Sequence, residues 1–283
     1  MRIVETIAGC RAALDAERLA GRSIGLVPTM GYLHEGHLSL VDRAREASDV
    51  VVLSIFVNPT QFGPEEDFAR YPRDLDRDVA LAGERGVDLV FAPSVDEMYP
   101  EPQLTTVTMR VVTETYEGAA RPGHFDGVLT VVAKLFHIVQ PDVAVFGQKD
   151  AQQAAAVRRM IADLDFPVRL IVVPTLREAD GLAASSRNVY LSPDERREAL
   201  ALSRAVMRAA DLVSGGEGDV TRIEAAMREE LARSPALAVE YSAVVDADRF
   251  TPVVEIEGPS VAAVAARVGA TRLIDNMPLG QDD

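Results

Sequence analysis

The stretch "SIGLVPTMGYLHEGHLSLVDRAREASDVVVLSIFVN", residues 23–58, contains a complete strand–helix–strand unit. Its first segment, 23–28, is apolar and predicts a buried strand, and residues 37–48 carry apolar side chains at the spacing of an amphipathic helix. Residues 50–58 are almost uninterrupted in apolar side chains, which is typical of a strand inside a parallel sheet. The unit therefore predicts an α/β fold in which helices connect neighbouring parallel strands.

The alternation of strands and helices continues to about residue 175. It predicts a Rossmann-like, doubly wound parallel sheet, and in such sheets ligands bind beyond the carboxyl ends of the strands. The further elements predicted in this part are helices at 75–86, 127–140 and 151–164 and strands at 88–93, 143–147 and 168–174.

The order of elements changes after residue 175. Two predicted helices come first and three short strands follow, which indicates a smaller α+β domain. The chain is therefore predicted to consist of a Rossmann-like ligand-binding domain, 1–175, and a smaller C-terminal lid domain, 176–283, ending in a mobile tail of seven residues. The predicted elements of the second domain are helices at 192–216 and 219–233 and strands at 239–247, 260–268 and 271–276.

The composition excludes several classes of function. A net charge of −15 argues against a nucleic-acid surface, because neutralising phosphates requires clustered lysine and arginine. No apolar run approaches the roughly 20 residues that cross a bilayer, and the N-terminus lacks the apolar core of a signal peptide. The single cysteine, Cys10, rules out an internal disulfide and fits a reducing compartment. We expect a cytoplasmic protein without nucleic-acid or membrane partners.

Lysine is rare in this chain. Of the 29 basic residues only Lys134 and Lys149 are lysines, and the others are arginines. Lys149 follows the predicted strand 143–147, so it is expected at the ligand-binding edge of the sheet, where a compact ammonium suits a phosphate. Lys134 lies within the apolar helix 127–140 and is predicted to be structural or to extend its amine to solvent.

His34-Glu35-Gly36-His37 lies between the first predicted strand and its helix. A metalloprotease helix needs H-E-x-x-H, which is one residue longer, so a zinc site is the weaker alternative, and a plain polar turn is another. The position favours a phosphate site, because free N–H groups and the helix dipole attract anions at a helix N-terminus. Gly31 and Gly36 would let the backbone approach a phosphate closely. No G-x-G-x-x-G dinucleotide motif is present.

The string "PTMGYLHEGH" (28–37) resembles the H-x-G-H signature of the nucleotidylyltransferase superfamily, in the form found in the pantoate–β-alanine ligase family. Four further strings agree with that family and occur in its order. They are "SIFVNPTQFGPEEDFARYPR" (54–73), "RPGHFDGVLTVVAKLF" (121–136), "FGQKDAQQ" (146–153) and "READGLAASSRNVYLS" (177–192). A lone H-x-G-H occurs in many adenylyl-transferring enzymes, so the specificity of the resemblance comes from the five strings together.

This resemblance implies an ATP-dependent ligase that joins pantoate to β-alanine through a pantoyl adenylate, giving pantothenate, AMP and pyrophosphate. The nucleotide and pantoate would bind to domain 1–175. The resemblance also implies Mg²⁺ held mainly through the ATP phosphates, with no metal-ligand set in the chain, and it suggests a homodimer. Catalysis would consist of positioning and of stabilising charge on the transferring phosphoryl group, without a protein nucleophile.

The resemblance also implies a set of site residues. His34, His37 and Lys149 would be catalytic, and Arg187 would help to neutralise the phosphates. Whether either histidine moves a proton stays open from the sequence, and His37, next to the helix N-terminus, is the candidate proton donor. Gln61 would contact both pantoate and β-alanine. The residues expected to bind ATP are Met30, Gly31, His34, His37, Gly147, Lys149, Asp150, Leu176, Ala184, Ser185, Ser186 and Arg187, and those expected to bind pantoate are Asn58, Gln61 and Gln153.

Two positions depart from the family pattern, since Ala184 stands where methionine is usual and Gln148 where glutamate is common. Arg121 and His124 are further candidates for the site, whereas His137, in the apolar helix, is predicted to be a core histidine.

The motifs leave two other functions open. One is another adenylyl- or cytidylyl-transferase, because H-x-G-H alone does not choose the acceptor. The other is a nucleotide-sensing protein without turnover.

Overall fold

The computed structural model describes residues 1–64 and 66–280, and within them the strands form two separate sheets. The first sheet has six parallel strands in the order β1-β4-β3-β2-β5-β6. The predicted α/β sheet is thus confirmed. Its strands are β1 (Arg2–Val4), β2 (Ile24–Thr29), β3 (Val50–Ile55), β4 (Leu89–Phe91), β5 (Val143–Gly147) and β6 (Arg169–Val173).

Helices pack on both faces of this sheet. In β3, Val50 and Val52 belong to the same core as the helix that follows residue 123, whereas Val51 and Leu53 pack with the helix that follows His34. Burial on both faces explains why β3 is continuously apolar. The helices are α1 (Ile7–Leu19), α2 (Glu35–Ala47), α3 (Leu75–Glu84), α4 (Val95–Met98), α5 (Glu117–Ala120), α6 (His124–Val139) and α7 (Ala151–Asp163).

The strand order places a topological switch point between β2 and β5. From β2 the chain proceeds to β3 and β4 on one side, and from β5 it proceeds to β6 on the other. Gly25 pairs with Val143 and Leu26 with Ala144, so the segments leaving β2 and β5 begin side by side. Ligands of open α/β sheets bind at such a point.

The sequence did not predict β1, because a strand of three mostly exposed residues has no apolar pattern to read, and α1 was not predicted either.

The second sheet has three antiparallel strands and a core of its own. Its central strand is buried along almost its whole length, because Ala262, Val264 and Ala266 face this core while Val261 and Ala263 belong to the core of the first sheet. The predicted seven-residue tail is wrong in its first part, since Met277, Pro278 and Leu279 lie within the last strand, and 281–283 lie outside the described residues. The elements are α8 (Pro193–Ser214), α9 (Val220–Ala232), β7 (Leu237–Asp246), β8 (Ser260–Val268) and β9 (Thr271–Leu279).

The two sheets are joined through side chains of β9. Asn276 donates its amide hydrogens to the carbonyls of Gln148 (2.9 Å) and Lys149 (2.8 Å), and Gln148 donates to the Asn276 side chain in return (3.1 Å). Gln148 thus helps to hold the turn that carries Lys149 against β9. A division at residue 175 into two domains stays a prediction.

Among the described helices none is both long and apolar enough to cross a membrane.

Candidate active site

A cleft opens at the switch point and continues between the two sheets. Its inner cavity, of about 230 Å³, lies against the carboxyl ends of β2, β3 and β5, and an outer cavity of about 690 Å³ leads from it. Arg121, His124, Lys149 and Arg187 line both cavities. All of the site residues predicted from sequence line the inner cavity except Gly31, which lies in the turn before it.

His34 and His37 stack against each other at the N-terminus of α2, with ring centroids 4.1 Å apart. His34 Nδ1 accepts a hydrogen bond from the backbone N–H of Gly36 (3.1 Å), and His37 Nδ1 accepts one from the N–H of His34 (3.4 Å). Gly36 is required here, since a Cβ at that position would lie 2.8 Å from the His34 ring. Because each Nδ1 is an acceptor, each neutral ring carries its proton on Nε2.

Both histidines are neutral at physiological pH. Burial, together with the positive charge of Lys149, lowers the pKa of His34 to about 4. Burial, together with the neighbouring His34, lowers the pKa of His37 to about 3. The pair therefore offers two Nε2–H donors to a ligand, and Lys149 supplies the full positive charge nearby.

We expect the free energy of unfolding to fall as the pH drops from 7 towards 5. The pKa of His124 is also lowered to about 4, by burial and by Arg121, so three histidines stay neutral in the folded protein. In the unfolded chain these histidines have a pKa of about 6.5, so below pH 6.5 the unfolded chain binds more protons than the folded protein. The free energy of unfolding is therefore unaffected by these groups above that pH and falls on acidification. The loss at pH 5 is ~1–2 kcal/mol for each histidine.

Urea unfolding at several pH values measures this effect. His124→Gln should reduce the slope of stability against pH, and His137→Gln, at an exposed position, is the matched control that should retain it. An unfolding free energy that is constant between pH 7 and pH 5, or an unchanged slope in His124→Gln, contradicts the expectation.

The turn between β2 and α2 is held by a carboxylate that sequence reasoning missed. Asp78, 1% exposed, accepts hydrogen bonds from the N–H groups of Tyr32 (2.6 Å) and Leu33 (2.7 Å). Gly31 adopts a positive φ of 82°, and a Cβ there would lie 2.9 Å from Asp78 Oδ2. The spacing of α3 could have revealed Asp78. It lies four residues before Ala82, so both side chains fall on the same buried face of the helix, where a carboxylate needs hydrogen-bond donors.

Lys149 follows β5 on a short turn beside the histidine pair. Its ammonium lies 3.5 Å from Asp150 Oδ1, and its side chain is 22% exposed. Burial acts to raise the pKa of Asp150, but the charge of Lys149 outweighs it, so the pKa of this carboxyl is lowered. A positive charge at the carboxyl end of β5 thus lies next to the donors at the end of β2.

Asn58 and Gln61 form the amide side of the inner cavity. Asn58, 1% exposed, donates to Gln61 Oε1 and to the Gly127 carbonyl, both at 3.1 Å, and its Oδ1 accepts from Thr60 and from the Tyr99 hydroxyl (2.9 Å). All hydrogen-bonding atoms of Asn58 are therefore engaged within the protein. Gln61 Nε2 has only the Met30 sulfur as a partner among the described residues, at 3.3 Å, and a thioether is a weak acceptor.

Residues from the start of the C-terminal part close the cavity. Ala184 lies 3.5 Å from the Cβ position of Gly36, and its N–H donates to the Leu176 carbonyl (2.9 Å). The small side chain at position 184 thus packs directly on the H-x-G-H turn. Arg187 is paired with Asp67 through two hydrogen bonds, of 3.0 and 3.2 Å.

Arg121 and His124 lie beside Gln61. His124 Nδ1 donates to the Gln61 carbonyl (2.8 Å), its Nε2 accepts from Arg121 Nη1 (3.0 Å), and Arg121 makes a bidentate pair with Glu66.

The fourth histidine, His137, lies outside the cleft. His137 is exposed, with its ring 5.3 Å from Phe166, so the prediction of a core histidine is wrong. The polar face of α6 reaches solvent at that position.

In the part of the chain that the structure describes, no three His, Cys, Asp or Glu side chains are grouped so that they could hold a metal ion. Chemically, the cleft combines N–H donors, an ammonium and a guanidinium with neutral amides. Such a set suits a polyphosphate next to a small hydroxy acid.

The chain is similar to known proteins over almost its whole length. A family model described as pantoate-beta-alanine ligase matches residues 2–278. The pantothenate synthetase of Moorella thermoacetica is 56% identical over 283 residues, covering 100% of both chains. That of Heliobacterium modesticaldum is 57% identical over 277 residues, covering 98% of this chain and 99% of the relative.

Solved structures show the same similarity. The pantothenate synthetase of Thermus thermophilus is 51% identical, with a TM-score of 0.93, covering 98% of this chain and 99% of that one. The pantoate-beta-alanine ligase of Francisella tularensis, solved in complex with beta-gamma ATP and beta-alanine, is 31% identical, with a TM-score of 0.81 over 100% of this chain and 99% of that one.

Proposed function

The chain belongs to the pantoate–β-alanine ligase family, and from this premise we propose how its residues carry out the family's reaction. The enzyme ligates pantoate and β-alanine to pantothenate at the expense of ATP, releasing AMP and pyrophosphate. The observation that supports the residue roles is that one inner cavity is lined both by phosphate-binding groups and by neutral amides.

The first step is adenylation of pantoate. An oxygen of its carboxylate forms a bond to the α-phosphorus of ATP, and the bond from that phosphorus to pyrophosphate breaks. His34 and His37 donate Nε2–H to the phosphate oxygens, and Lys149 supplies the positive charge. The lowered pKa of His37 supports hydrogen-bond donation by a neutral ring, whereas the sequence left open whether either histidine moves a proton.

The second step is attack by the amine of β-alanine on the acyl carbon. A carbon–nitrogen bond forms, the carbon–oxygen bond to AMP breaks, and the surplus proton of the nitrogen leaves to solvent. Gln61 exchanges the Met30 sulfur for an oxygen of pantoate, and Gln153, which lines the same cavity, is the second amide that binds pantoate. Asn58 contributes by orienting Gln61, because its own polar atoms are already bound.

The remaining ATP contacts come from both parts of the chain. Met30, Gly31, Gly147, Asp150, Leu176 and Ala184 surround the nucleotide, and Ser185, Ser186 and Arg187 reach the phosphates. Arg187 is paired with Asp67 through Nε and Nη2. Residues 176–283 are proposed to move as a lid over residues 1–175, which would carry Arg187 to the phosphates.

Mg²⁺ is proposed to arrive with the ATP phosphates, where it would neutralise charge on the phosphate oxygens. The carboxylates of the cleft fit this arrangement, because Asp67 and Asp150 are each already paired with a cation. The buried free thiol of Cys10 supports a cytoplasmic location, and the family resemblance supports a homodimer.

AMP production by the purified protein tests the function. We expect AMP and pantothenate in equal amounts, and only when ATP, pantoate and β-alanine are all present. Pantetheine phosphate and nicotinate mononucleotide are the control acceptors, and neither should release pyrophosphate. ATP bound without AMP formation in the complete mixture would instead identify a nucleotide-sensing protein.

A further inference from the structure

The turn that carries Lys149 is held by a residue of the second sheet. Lys149 lies in the middle of the 3₁₀ turn Gln148–Asp150, between β5 and α7. Among the described residues, the side-chain hydrogen bonds that the carbonyls of Gln148 and Lys149 accept come from Asn276, at 2.9 and 2.8 Å. The backbone beneath the ammonium is thus fixed by β9, 127 residues further along the chain.

The side-chain amide of Asn276 has a single favourable orientation. Asn276 is 4% exposed, and its amide nitrogen faces two carbonyl oxygens, which accept hydrogen bonds and cannot donate them. Its Oδ1 accepts from Gln148 Nε2 at 3.1 Å. Turning the amide over would set its oxygen against both carbonyls, so the amide is fixed at both ends.

Asn276 is anchored in turn by a buried ion pair. The preceding residue, Asp275, is 3% exposed and accepts both arms of the Arg177 guanidinium, at 2.7 and 3.0 Å. Its carboxylate also accepts from the backbone N–H of Asn276 (2.7 Å) and from the hydroxyl of Ser203 in α8 (2.8 Å). A fully hydrogen-bonded buried network of this kind makes its surroundings rigid. The network therefore runs from α8 through Asp275 and Asn276 to the turn of Lys149.

We propose that Asn276 is a positioning residue for Lys149, which fixes the ammonium beside the histidine pair by holding two carbonyls of its turn. The inference rests on the proposed function, in which Lys149 supplies positive charge during adenylation. A lysine side chain is long and flexible, so the place of its charge depends on a fixed backbone. Stabilisation of transition-state charge requires groups that are already in place, and a displacement of about 1 Å can lower a rate ~10²-fold.

The first test measures pantoate-dependent exchange of pyrophosphate into ATP, which reports adenylation alone. In Asn276→Ala, kcat of exchange should fall ~10–100-fold, because the turn loses both hydrogen bonds and the ammonium loses its fixed place. KM for pantoate should stay close to that of the parent, because Asn276 lines the outer cavity and the pantoate-binding amides line the inner one. Ser260→Ala removes a hydrogen bond to the Gly258 carbonyl elsewhere in the same sheet, and this matched control for stability should retain parental exchange.

The second test shows whether the effect passes through Lys149. If it does, the double variant of Lys149→Met and Asn276→Ala should be as slow in exchange as Lys149→Met alone, within ~2-fold, whereas independent losses multiply. Gln148→Ala removes the donor that orients the Asn276 amide and should lower kcat of exchange ~3–10-fold. This variant replaces Asn276→Ala if the latter does not fold.

The proposal is overturned if Asn276→Ala, or Gln148→Ala in its place, exchanges at the parental rate. It is also overturned if the losses multiply in the double variant, or if Ser260→Ala loses as much exchange as Asn276→Ala. A parent protein without pantoate-dependent exchange would contradict the proposed function instead, so the two failures are distinguishable.

Discussion

Replacing Lys149 with methionine is expected to lower kcat/KM for pantothenate formation by ~10³-fold, the upper range for loss of one preorganised group that stabilises transition-state charge. The ammonium lies at the carboxyl end of β5, beside the histidine pair, in a chain whose net charge repels a triphosphate. Methionine keeps most of the length of the side chain and removes the ammonium group, with its charge and its N–H donors. The loss should therefore appear in pyrophosphate exchange as well as in the complete reaction.

Two variants complete the Lys149 experiment. Lys149→Arg keeps a positive charge but changes its shape, so it should recover part of the lost rate. Arg159→Met removes one positive charge from the surface of α7, where the side chain is 61% exposed, and should leave the rate unchanged. A Lys149→Met enzyme with near-parental exchange activity would refute the role given to this lysine.

The second large effect is expected at His37, where alanine should lower kcat by ~10²–10³-fold. Alanine removes the Nε2–H donor and also leaves the backbone N–H of His34 without its partner. Glutamine can place an amide N–H near the position of Nε2, so His37→Gln should retain more activity than His37→Ala. This order is expected if the ring acts as a neutral hydrogen-bond donor.

The pH dependence of kcat adds an independent readout. The pKa of His37 is lowered to about 3, so this ring does not change its charge near the ordinary histidine pKa of 6.5. We therefore expect that protonation of His37 causes no change in the kcat of the parent near pH 6.5. His137→Ala, on the exposed face of α6, is the matched control and should retain parental kcat. Equal activities in His37→Ala and the parent, or a His37→Gln enzyme as slow as His37→Ala, would contradict the donor role.

Much of the candidate site was predictable because its residues occur in local motifs at the ends of apolar strands. The H-x-G-H turn and Lys149 could be assigned to one edge of a parallel sheet from the strand–helix alternation alone. His137 could not be assigned correctly, because an apolar helix can still expose one face, and which face is exposed depends on its neighbours. Asp78 was missed for the same kind of reason, since its partners are backbone groups 45 and 46 residues away along the chain.

The sequence by itself determined the α/β class, the position of the H-x-G-H turn after β2 and the family, because periodicity and motifs are properties of neighbouring residues. Only the tertiary structure decided that β2 lies next to β5, that all polar atoms of Asn58 are bound within the protein, and that Glu66 and Asp67 pair with Arg121 and Arg187. These contacts join segments that are distant in sequence. Strand order, burial and the pairing of charges arise from packing of the whole chain, which no local pattern encodes.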